Sequence, residues 1–374
     1  MDWTAVRAEF PVGDRWAFLD HAAVSPLPRR AARALCAYAD DLMANGSPAV
    51  SAWVRRIEEA RAAVAELIDC RPAEIAFTKN TTEAIGFVAE GFPWRDGDNV
   101  VLPAEEYPSN QYPWMNLASR GIGVRRVSSC GSRVPIDDLR AAIDSRTRLV
   151  AISTVEFSSG FRNDLDDIVQ WCGERGVAVC VDAIQSLGAL PFDVKRTPVE
   201  FLACGGHKWL CGPQGAGFLY VRGDWVERLR PLGIGAHSVV DPFNYTNVEF
   251  RLKPDAERWE GGTLNFGGLA ALGESIRLWL EIGVARVARR IHELTSIVCD
   301  EAQRHGWSVF SSRAGDEWSG IVALDRPGVD PRVVAARAKN AGVIVAVRGG
   351  RLRVSPHCYN TADEIRRFAE ILGE

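Results

Sequence analysis

The sequence predicts an α/β fold with a doubly wound, largely parallel sheet, followed by a smaller α+β domain. Strand-like apolar segments alternate with helical patterns from about residue 75 to residue 222, which is the order of a parallel sheet. From about residue 230 the composition turns loop-like, and the C-terminal part then alternates helices with short strands. A chain of 374 residues is also too long for one ordinary core and suits two domains.

Composition and charge argue against several classes of protein. Apolar residues make up 47% and charged residues 25% of the chain, and the net charge of −4 gives no reason to expect nucleic acid or an anionic membrane as partner. No apolar run approaches the roughly 18 residues of a membrane-spanning helix, and the polar N-terminus is not typical of a signal peptide. The nine cysteines form no CxxC pair, and the six histidines lack metal-ligand spacing. We therefore expect a cytoplasmic protein with reduced thiols and no bound metal.

The elements of the larger domain follow from apolar periodicity and turn residues. Helical periodicity predicts two long helices at residues 28–43 and 51–68, the second ending before the turn that contains Pro72. Short apolar runs predict strands at residues 75–78, 99–102, 123–127, 149–153, 177–182, 201–203 and 216–221. Amphipathic patterns between them predict helices at residues 84–90, 136–143 and 164–173.

The C-terminal part has the pattern of a smaller α+β domain. A long amphipathic helix is predicted at residues 267–282. Further helices are predicted at residues 284–306, 331–341 and 362–372, with short strands at 308–310, 320–324, 343–347 and 351–355. We therefore assign residues 26–255 to a large domain, and residues 1–25 together with 256–374 to a small domain.

An acidic residue and a lysine mark the centre of the predicted sheet. Asp182 ends a buried-strand pattern, and Lys208 lies in a glycine-rich turn after the next apolar segment. Pyridoxal phosphate chemistry needs such a pair, because a lysine forms the Schiff base with the aldehyde and a carboxylate keeps the pyridine nitrogen protonated. Taken alone, an Asp after a strand is more often a helix cap or turn residue, and a lysine in a glycine-rich turn is more often part of an ordinary loop.

Three further segments offer side chains to such a site. Thr81 and Thr82 lead a strand into a helix, a pattern that binds phosphate but is also typical of a capping box. Tyr107 follows the strand at 99–102, where it could stack on a planar cofactor or pack within its loop. Arg353 lies between apolar strand residues, where an arginine is usually a surface residue or an ion-pair partner, although its guanidinium group could also hold a substrate carboxylate.

Several short motifs in a fixed order resemble the class V aminotransferase family, the fold-type I pyridoxal phosphate enzymes that include cysteine desulfurases. They cover nearly the whole chain and read FLDHAAVSPLP, FTKNTTEAI, EEYPSN, VDAIQSLGA, GGHKW, RWEGGTLN and LRVSPHCYNTADEI. The resemblance implies a large domain on a mostly parallel, seven-stranded sheet, a smaller C-terminal domain, and bound pyridoxal 5′-phosphate. It also implies a homodimer with shared active sites.

The resemblance implies a role for each matched residue. Lys208 would carry the link to the cofactor and later move protons at the substrate Cα. Asp182 would pair with the ring nitrogen, and Gln185 would bond the phenolic oxygen. Tyr107 and Ile184 would cover the two faces of the ring. Thr81, Thr82 and His207 would hold the phosphate. Thr263 would reach the phosphate of the neighbouring subunit. The substrate would lie against His21 and Ala22, with its α-carboxylate on Arg353.

The sequence departs from the desulfurase pattern at two cofactor positions. Gly205 stands where desulfurases commonly have a serine that donates to the phosphate. Phe157 aligns with the asparagine that contacts the phenolic oxygen, and either Ser158 or Ser159 could substitute for it. The partner of the phenolic oxygen besides Gln185 therefore stays open.

The loop before Arg353 departs more strongly from the desulfurase pattern. Desulfurases carry a mobile cysteine in this loop or in a nearby segment, whereas residues 347–351 join almost directly to Arg353 and contain none. Cys358 follows the arginine strand, which is the wrong place. We therefore do not expect persulfide chemistry.

These features predict an enzyme that acts on a small α-amino acid through an external aldimine and a quinonoid. Transamination is the first expectation, and a C–S or β-elimination lyase is the alternative, followed by a desulfurase or an epimerase. A non-enzymatic cofactor-binding module is the competing class, but Lys208, Asp182 and Arg353 are all present. The substrate side chain is not specified, although Arg348 and Arg351 raise the hypothesis of an acidic one, in a pocket that His237 of either subunit would also line.

Overall fold

A computed structural model describes residues 1–373 of the chain. Its strands are β1 (Ala17–Phe18), β2 (Ile75–Thr78), β3 (Asn99–Pro103), β4 (Gly123–Val127), β5 (Thr147–Ser153), β6 (Ala178–Asp182), β7 (Phe201–Gly205), β8 (Gly217–Val221), β9 (Ser308–Val309), β10 (Val322–Asp325), β11 (Val343–Ile344), β12 (Ala346–Arg348) and β13 (Arg351–Val354). Its helices are α1 (Trp3–Ala8), α2 (Arg29–Asn45), α3 (Val50–Ile68), α4 (Thr81–Gly91), α5 (Tyr112–Met115), α6 (Ile136–Ala142), α7 (Leu165–Gly173), α8 (Phe266–Ile282), α9 (Val284–Arg304), α10 (Pro331–Asn340) and α11 (Ala362–Gly373).

The large sheet has the predicted doubly wound, mostly parallel architecture. Its seven strands run in the order β2, β8, β7, β6, β5, β3, β4, and only β8 is antiparallel to its neighbours. Alternate residues of β5 enter two different cores: Val150 and Ile152 face one, and Leu149 and Ala151 face the other. Because both faces are covered, central strands such as β6 and β7 are buried along their whole length and read as largely apolar runs.

The small domain contains two further sheets. Strands β12, β13, β10 and β9 form an antiparallel sheet, and β1 pairs with β11 in parallel. The single strand predicted at residues 343–347 is wrong, since Val343 pairs with Ala17 whereas Ala346 pairs with Arg353. The chain changes its strand partner between these positions, which a continuous apolar run does not reveal.

Helix α8 carries its three charged residues, Glu274, Arg277 and Glu281, on one stripe, as expected of an amphipathic helix. Most of its residues are buried, because it packs against both α2 and α3. A Cβ at Gly273 would lie 2.7 Å from the Cβ of Ala60, so this glycine permits the close approach of α8 to α3. Within residues 1–373, no helix is long and apolar enough to cross a membrane.

The N-terminal segment contributes to two cores. Val6 and Phe10 pack into a core on one face of the large sheet, whereas Ala17 and Leu19 pack with the small-domain strands. The segment therefore crosses from one core to the other. The exact domain boundaries stay a prediction.

Candidate active site

The ends of parallel strands bring the candidate residues to one edge of the large sheet. Asp182 is the last residue of β6 and Gly205 is the last of β7, while Tyr107 comes shortly after β3. Strands β3, β5, β6 and β7 run in parallel, so their carboxyl ends lie side by side. Lys208 lies in the turn that follows β7 and so joins this group.

Lys208 has a buried side chain with a strongly altered affinity for its proton. Burial lowers the pKa of its ammonium group to about 8; the nearby Asp182 carboxylate opposes this shift, and the positive charge of Arg353 adds to it. The Lys208 Nζ lies 5.2 Å from the centroid of the Tyr107 ring. A lysine with this pKa is partly neutral near neutral pH, and it can therefore act as a nucleophile and as a proton acceptor.

Asp182 is a buried carboxyl group that favours a cation beside it. Its Oδ1 accepts a hydrogen bond of 3.0 Å from the backbone N–H of Ile184. Burial raises its pKa to about 6, and the Ile184 N–H and the charge of Lys208 offset only part of that rise. A protonated pyridine nitrogen would supply a compensating cation, which is the role predicted for Asp182.

The first turn of α4 has the features of an anion site. Asn80 caps the helix by accepting the N–H of Glu83 at 2.9 Å, so the two threonines are not its caps. The buried Thr81 hydroxyl accepts the N–H of Gly205 at 3.0 Å, which ties this turn to the end of β7. Unpaired first-turn N–H groups and the helix dipole favour an anion here. This geometry supports the phosphate role predicted for Thr81 and Thr82.

Gly205 allows its neighbours to pack closely. A Cβ at this position would lie 3.2 Å from the Ile184 Cδ1 and 3.3 Å from the His207 ring, so a serine would require these side chains to shift. Burial lowers the pKa of His207, which favours its neutral ring. The Thr82 hydroxyl shares a hydrogen bond of 2.7 Å with that of Ser109.

Tyr107 and Ile184 are predicted to cover the two faces of the cofactor ring. The Tyr107 side chain is 43% exposed and meets Phe157 edge to face, with ring centroids 5.2 Å apart. Ile184 is buried. An exposed aromatic ring near Lys208 offers a surface for a planar group, but the stacking itself stays a prediction.

The amide of Gln185 is held at both ends. Its Oε1 accepts the indole N–H of Trp209 at 3.0 Å, and its Nε2 donates to the Ala22 carbonyl at 3.1 Å. Ala22 is fixed in turn, because its N–H donates to the Ser355 hydroxyl at 3.1 Å. One N–H of the amide remains for the predicted bond to the phenolic oxygen of the cofactor.

His21 has no free ring nitrogen for a substrate. Its ring is fully buried, with Nδ1 donating to the Ser355 carbonyl at 2.9 Å and Nε2 accepting from the Tyr359 hydroxyl at 2.7 Å. Burial lowers its pKa well below the ordinary value and keeps the ring neutral. The place of His21 against the substrate stays a prediction, and both ring nitrogens are already used within the protein.

Arg353 is buried against an acid that the sequence did not single out. One nitrogen donates to Asp20 Oδ1 at 3.1 Å and another to the Phe157 carbonyl at 2.9 Å, while Nε has no hydrogen-bond partner among residues 1–373. The Arg353 side chain is 2% exposed and that of Asp20 is 12% exposed. Asp20 lies within the FLDHAA segment, and this position was the only signal in the sequence. A guanidinium group with unused donor capacity supports the predicted binding of a substrate carboxylate.

The two other candidate arginines lie on the same hairpin. Arg348 pairs with Arg351 across β12 and β13, and alternation along β13 places Arg351 and Arg353 on one face. The guanidinium carbon of Arg351 lies 3.4 Å from the centroid of the Phe310 ring, and this stacking contact engages the guanidinium group. Arg348 is exposed, and its positive charge contributes to the pKa values of both Lys208 and Arg353.

For three predicted residues, no contact within residues 1–373 holds the side chain at this edge of the large sheet. Thr263 is exposed in the segment before α8, and His237 meets the ring of Phe243 at 5.9 Å. The Ser159 hydroxyl accepts the N–H of Phe161 at 3.2 Å, so it serves its own loop.

Two buried glutamates near Asp182 were also not predicted as site residues from the sequence. Glu106 accepts hydrogen bonds of 2.5 Å from both the N–H and the hydroxyl of Ser153, and burial raises its pKa well above the ordinary value. Glu156 accepts from Asn163 at 2.9 Å, and burial raises its pKa to about 7. Asp182 raises both pKa values further through its charge. Each lies three residues beyond the end of a strand, β3 for Glu106 and β5 for Glu156, and this was the signal available in the sequence.

Pyridoxal phosphate fits this set of residues. The partly neutral Lys208 suits an aldehyde, the buried Asp182 suits a ring cation, and the first turn of α4 suits a phosphate. The fold and the site thus define a pyridoxal phosphate-dependent enzyme of fold type I.

The chain belongs to the class V aminotransferase family, whose model, described as "Aminotransferase class-V", matches residues 17–368. A probable cysteine desulfurase of Methanothermobacter thermautotrophicus is 33% identical over 99% of this chain and 97% of its own. The apo structure of cysteine desulfurase from Thermococcus onnurineus NA1 is 26% identical, with a TM-score of 0.89 over 99% of this chain and 97% of that one. The cystine C–S lyase C-DES, in complex with its product cysteine persulfide, is 24% identical and shares the fold, with a TM-score of 0.91 over 98% and 99% of the two chains.

Proposed function

We propose that this enzyme cleaves the C–S bond of a small sulfur-containing α-amino acid by elimination. The overall reaction converts an S-substituted cysteine and water into a thiol, ammonia and pyruvate, with no external oxidant or reductant. Relatives named for cysteine desulfurase and cystine C–S lyase activity support a sulfur amino acid as substrate. The ranking by sequence, which placed transamination before elimination, is reversed here for that reason.

The hairpin before Arg353 is the observation that favours elimination over sulfur transfer to the protein. Strands β12 and β13 are joined only by Gly349 and Gly350, so the hairpin presents no thiol to receive sulfur. Cys358, the next cysteine along the chain, is fully buried, and burial raises the pKa of its thiol well above the ordinary value. Sulfur released at this site would therefore leave with the substrate fragment and not pass to the protein.

The residues at the sheet edge supply the binding and proton steps. Arg353 holds the α-carboxylate of the substrate and sets the orientation of its Cα. Pyridoxal phosphate, when bound, supplies the aldehyde that takes up the amino group and the ring that accepts the electron pair released at Cα. Lys208, partly neutral by virtue of its burial, takes the proton from Cα. Asp182 keeps the ring nitrogen positively charged.

Transamination is the second candidate, because the family model is named for it and the same lysine would serve it. In that reaction Lys208 would return the proton to the cofactor carbon in place of expelling sulfur. The two candidates differ in their products, since elimination releases ammonia and a thiol whereas transamination retains the amino group.

We also propose a homodimer with shared active sites. Exposed Thr263 would reach the phosphate of the second subunit, and the exposed aromatic side chains of Phe243, Tyr245 and Phe250 offer apolar surface for the contact. Size-exclusion chromatography with light scattering tests this assembly. A protein that is monomeric and fully active would contradict it.

The deciding experiment is a visible spectrum of the purified protein before and after a panel of amino acids, with keto acid, ammonia and thiol assayed in the same wells. Elimination predicts keto acid with equal amounts of ammonia and thiol, and an unchanged resting spectrum. Transamination predicts conversion of the cofactor to its amine form, with keto acid matching the cofactor consumed. Lys208→Ala is the control, and turnover by that variant would contradict both candidates.

A further inference from the structure

Trp209, the residue after the catalytic lysine, is held by hydrogen bonds as well as by packing. The Trp209 indole is fully buried, and its N–H donates to Gln185 Oε1 at 3.0 Å. The Trp209 carbonyl accepts from His357 Nε2 at 3.1 Å. A Cβ at Gly320 would lie 2.3 Å from the indole ring, so the small domain closes directly over it. Both the backbone and the ring of Trp209 are therefore held in place.

These contacts decide which way the Gln185 amide faces. An indole N–H can only donate, and a backbone carbonyl can only accept. Trp209 therefore requires the amide oxygen on its side, and the Ala22 carbonyl, 3.1 Å from Nε2, requires the amide nitrogen on the other. A flipped amide would set two acceptors against each other at Ala22 and two donors at Trp209. One N–H remains uncommitted in the observed orientation.

We infer that Trp209 is a positioning residue that fixes the Gln185 amide, so that its remaining N–H donates to the phenolic oxygen of pyridoxal phosphate. An N–H that donates to this oxygen draws electron density from it. The proton on the neighbouring nitrogen, which links Lys208 to the cofactor, is then held less tightly. Trp209 thus influences, through Gln185, the pH at which the visible band of the bound cofactor changes.

The test is a pH titration of the visible absorption of the holoprotein without any amino acid, so its outcome is independent of the proposed elimination. Gln185→Leu is expected to raise the midpoint by about one pH unit, because losing one hydrogen bond to a charged group changes its pKa by about that amount. Trp209→Phe keeps the ring but removes the N–H, and it is expected to raise the midpoint by a smaller amount. In the double variant, Trp209→Phe should add nothing to the effect of Gln185→Leu.

Trp114→Phe is the matched control, because its buried indole N–H also donates to a side-chain amide oxygen at 3.0 Å, that of Asn110. It should lower the melting temperature to a similar extent and leave the midpoint unchanged. Gln185→Glu provides a second variant, which keeps an acceptor for Trp209 but lacks the N–H, and its midpoint should also rise. An unchanged midpoint in Trp209→Phe, or an equal shift with and without Gln185, would overturn the inference.

Discussion

Replacing the buried Glu156 by glutamine should change how the stability of this protein depends on pH. Glutamine has nearly the same shape, and its oxygen can still accept the Asn163 hydrogen bond of 2.9 Å. The second carboxyl oxygen of Glu156 is buried and has no hydrogen-bond partner in the described part of the chain, so the charged form of this group is poorly stabilised. The substitution therefore removes a titrating group with little change in packing.

The magnitude follows from the shift in pKa. Burial raises the pKa of Glu156 from 4.5 to about 7. This difference in pKa corresponds to about 3 kcal/mol in the free energy of unfolding. Because the folded protein holds the proton more tightly, this cost is absent below pH 4.5, grows as the pH rises through 7, and is complete above it. The Glu156→Gln variant should therefore match the wild type near pH 4.5 and exceed its stability by up to about 3 kcal/mol near pH 8.

Denaturation of both proteins in guanidinium chloride at a series of pH values provides the assay, with pyridoxal phosphate at saturation. The difference between variant and wild type should widen steadily as the pH rises. Glu174→Gln, at an exposed position, is the control and should follow the wild type throughout. A difference that stays constant with pH, or one that grows toward acid, would refute the reasoning from burial.

Three further substitutions test the site. Lys208→Ala should remove the visible band of the bound cofactor and lower kcat by at least about 10³-fold; a far-ultraviolet spectrum serves as the folding control, and near-normal turnover would exclude the assigned role. Arg353→Lys keeps a charge near Asp20 but loses the bidentate geometry, so KM for the amino acid should rise by roughly tenfold or more with a smaller change in kcat; an unchanged KM would argue that the carboxylate binds elsewhere. Arg348→Ala should raise KM several-fold for substrates with an anionic side chain and leave neutral ones unaffected, and a substrate screen without preference for acidic compounds would remove that hypothesis.

The local elements were largely predictable because their causes are local. Strands β2 and β4 match their predicted bounds. For β2 the reason is local, since a short apolar run bounded by turn residues depends on its own composition. The edge that joins Asp182 and Lys208 was predictable as well, because consecutive parallel strands bring their carboxyl ends together in any such sheet. The helix α4 begins three residues before its prediction, at Thr81, because Asn80 acts as the cap.

The partners of the buried polar groups were decided only by the tertiary structure. Arg353 pairs with Asp20, and Gln185 bonds to Ala22, although more than 150 residues separate the members of each pair. No periodicity links such positions, and an arginine in a strand reads the same whether its partner is solvent, a substrate or an acid of the protein.

The sequence by itself determined the elements, the family motifs and the place of the lysine, because backbone propensity and strand order act over short distances. The full burial of His21 and the raised pKa of Glu156 depend on which segments pack over them, so only the tertiary structure decided them. The physical reason is that desolvation is a property of the assembled environment, and every element that surrounds a buried group contributes to it.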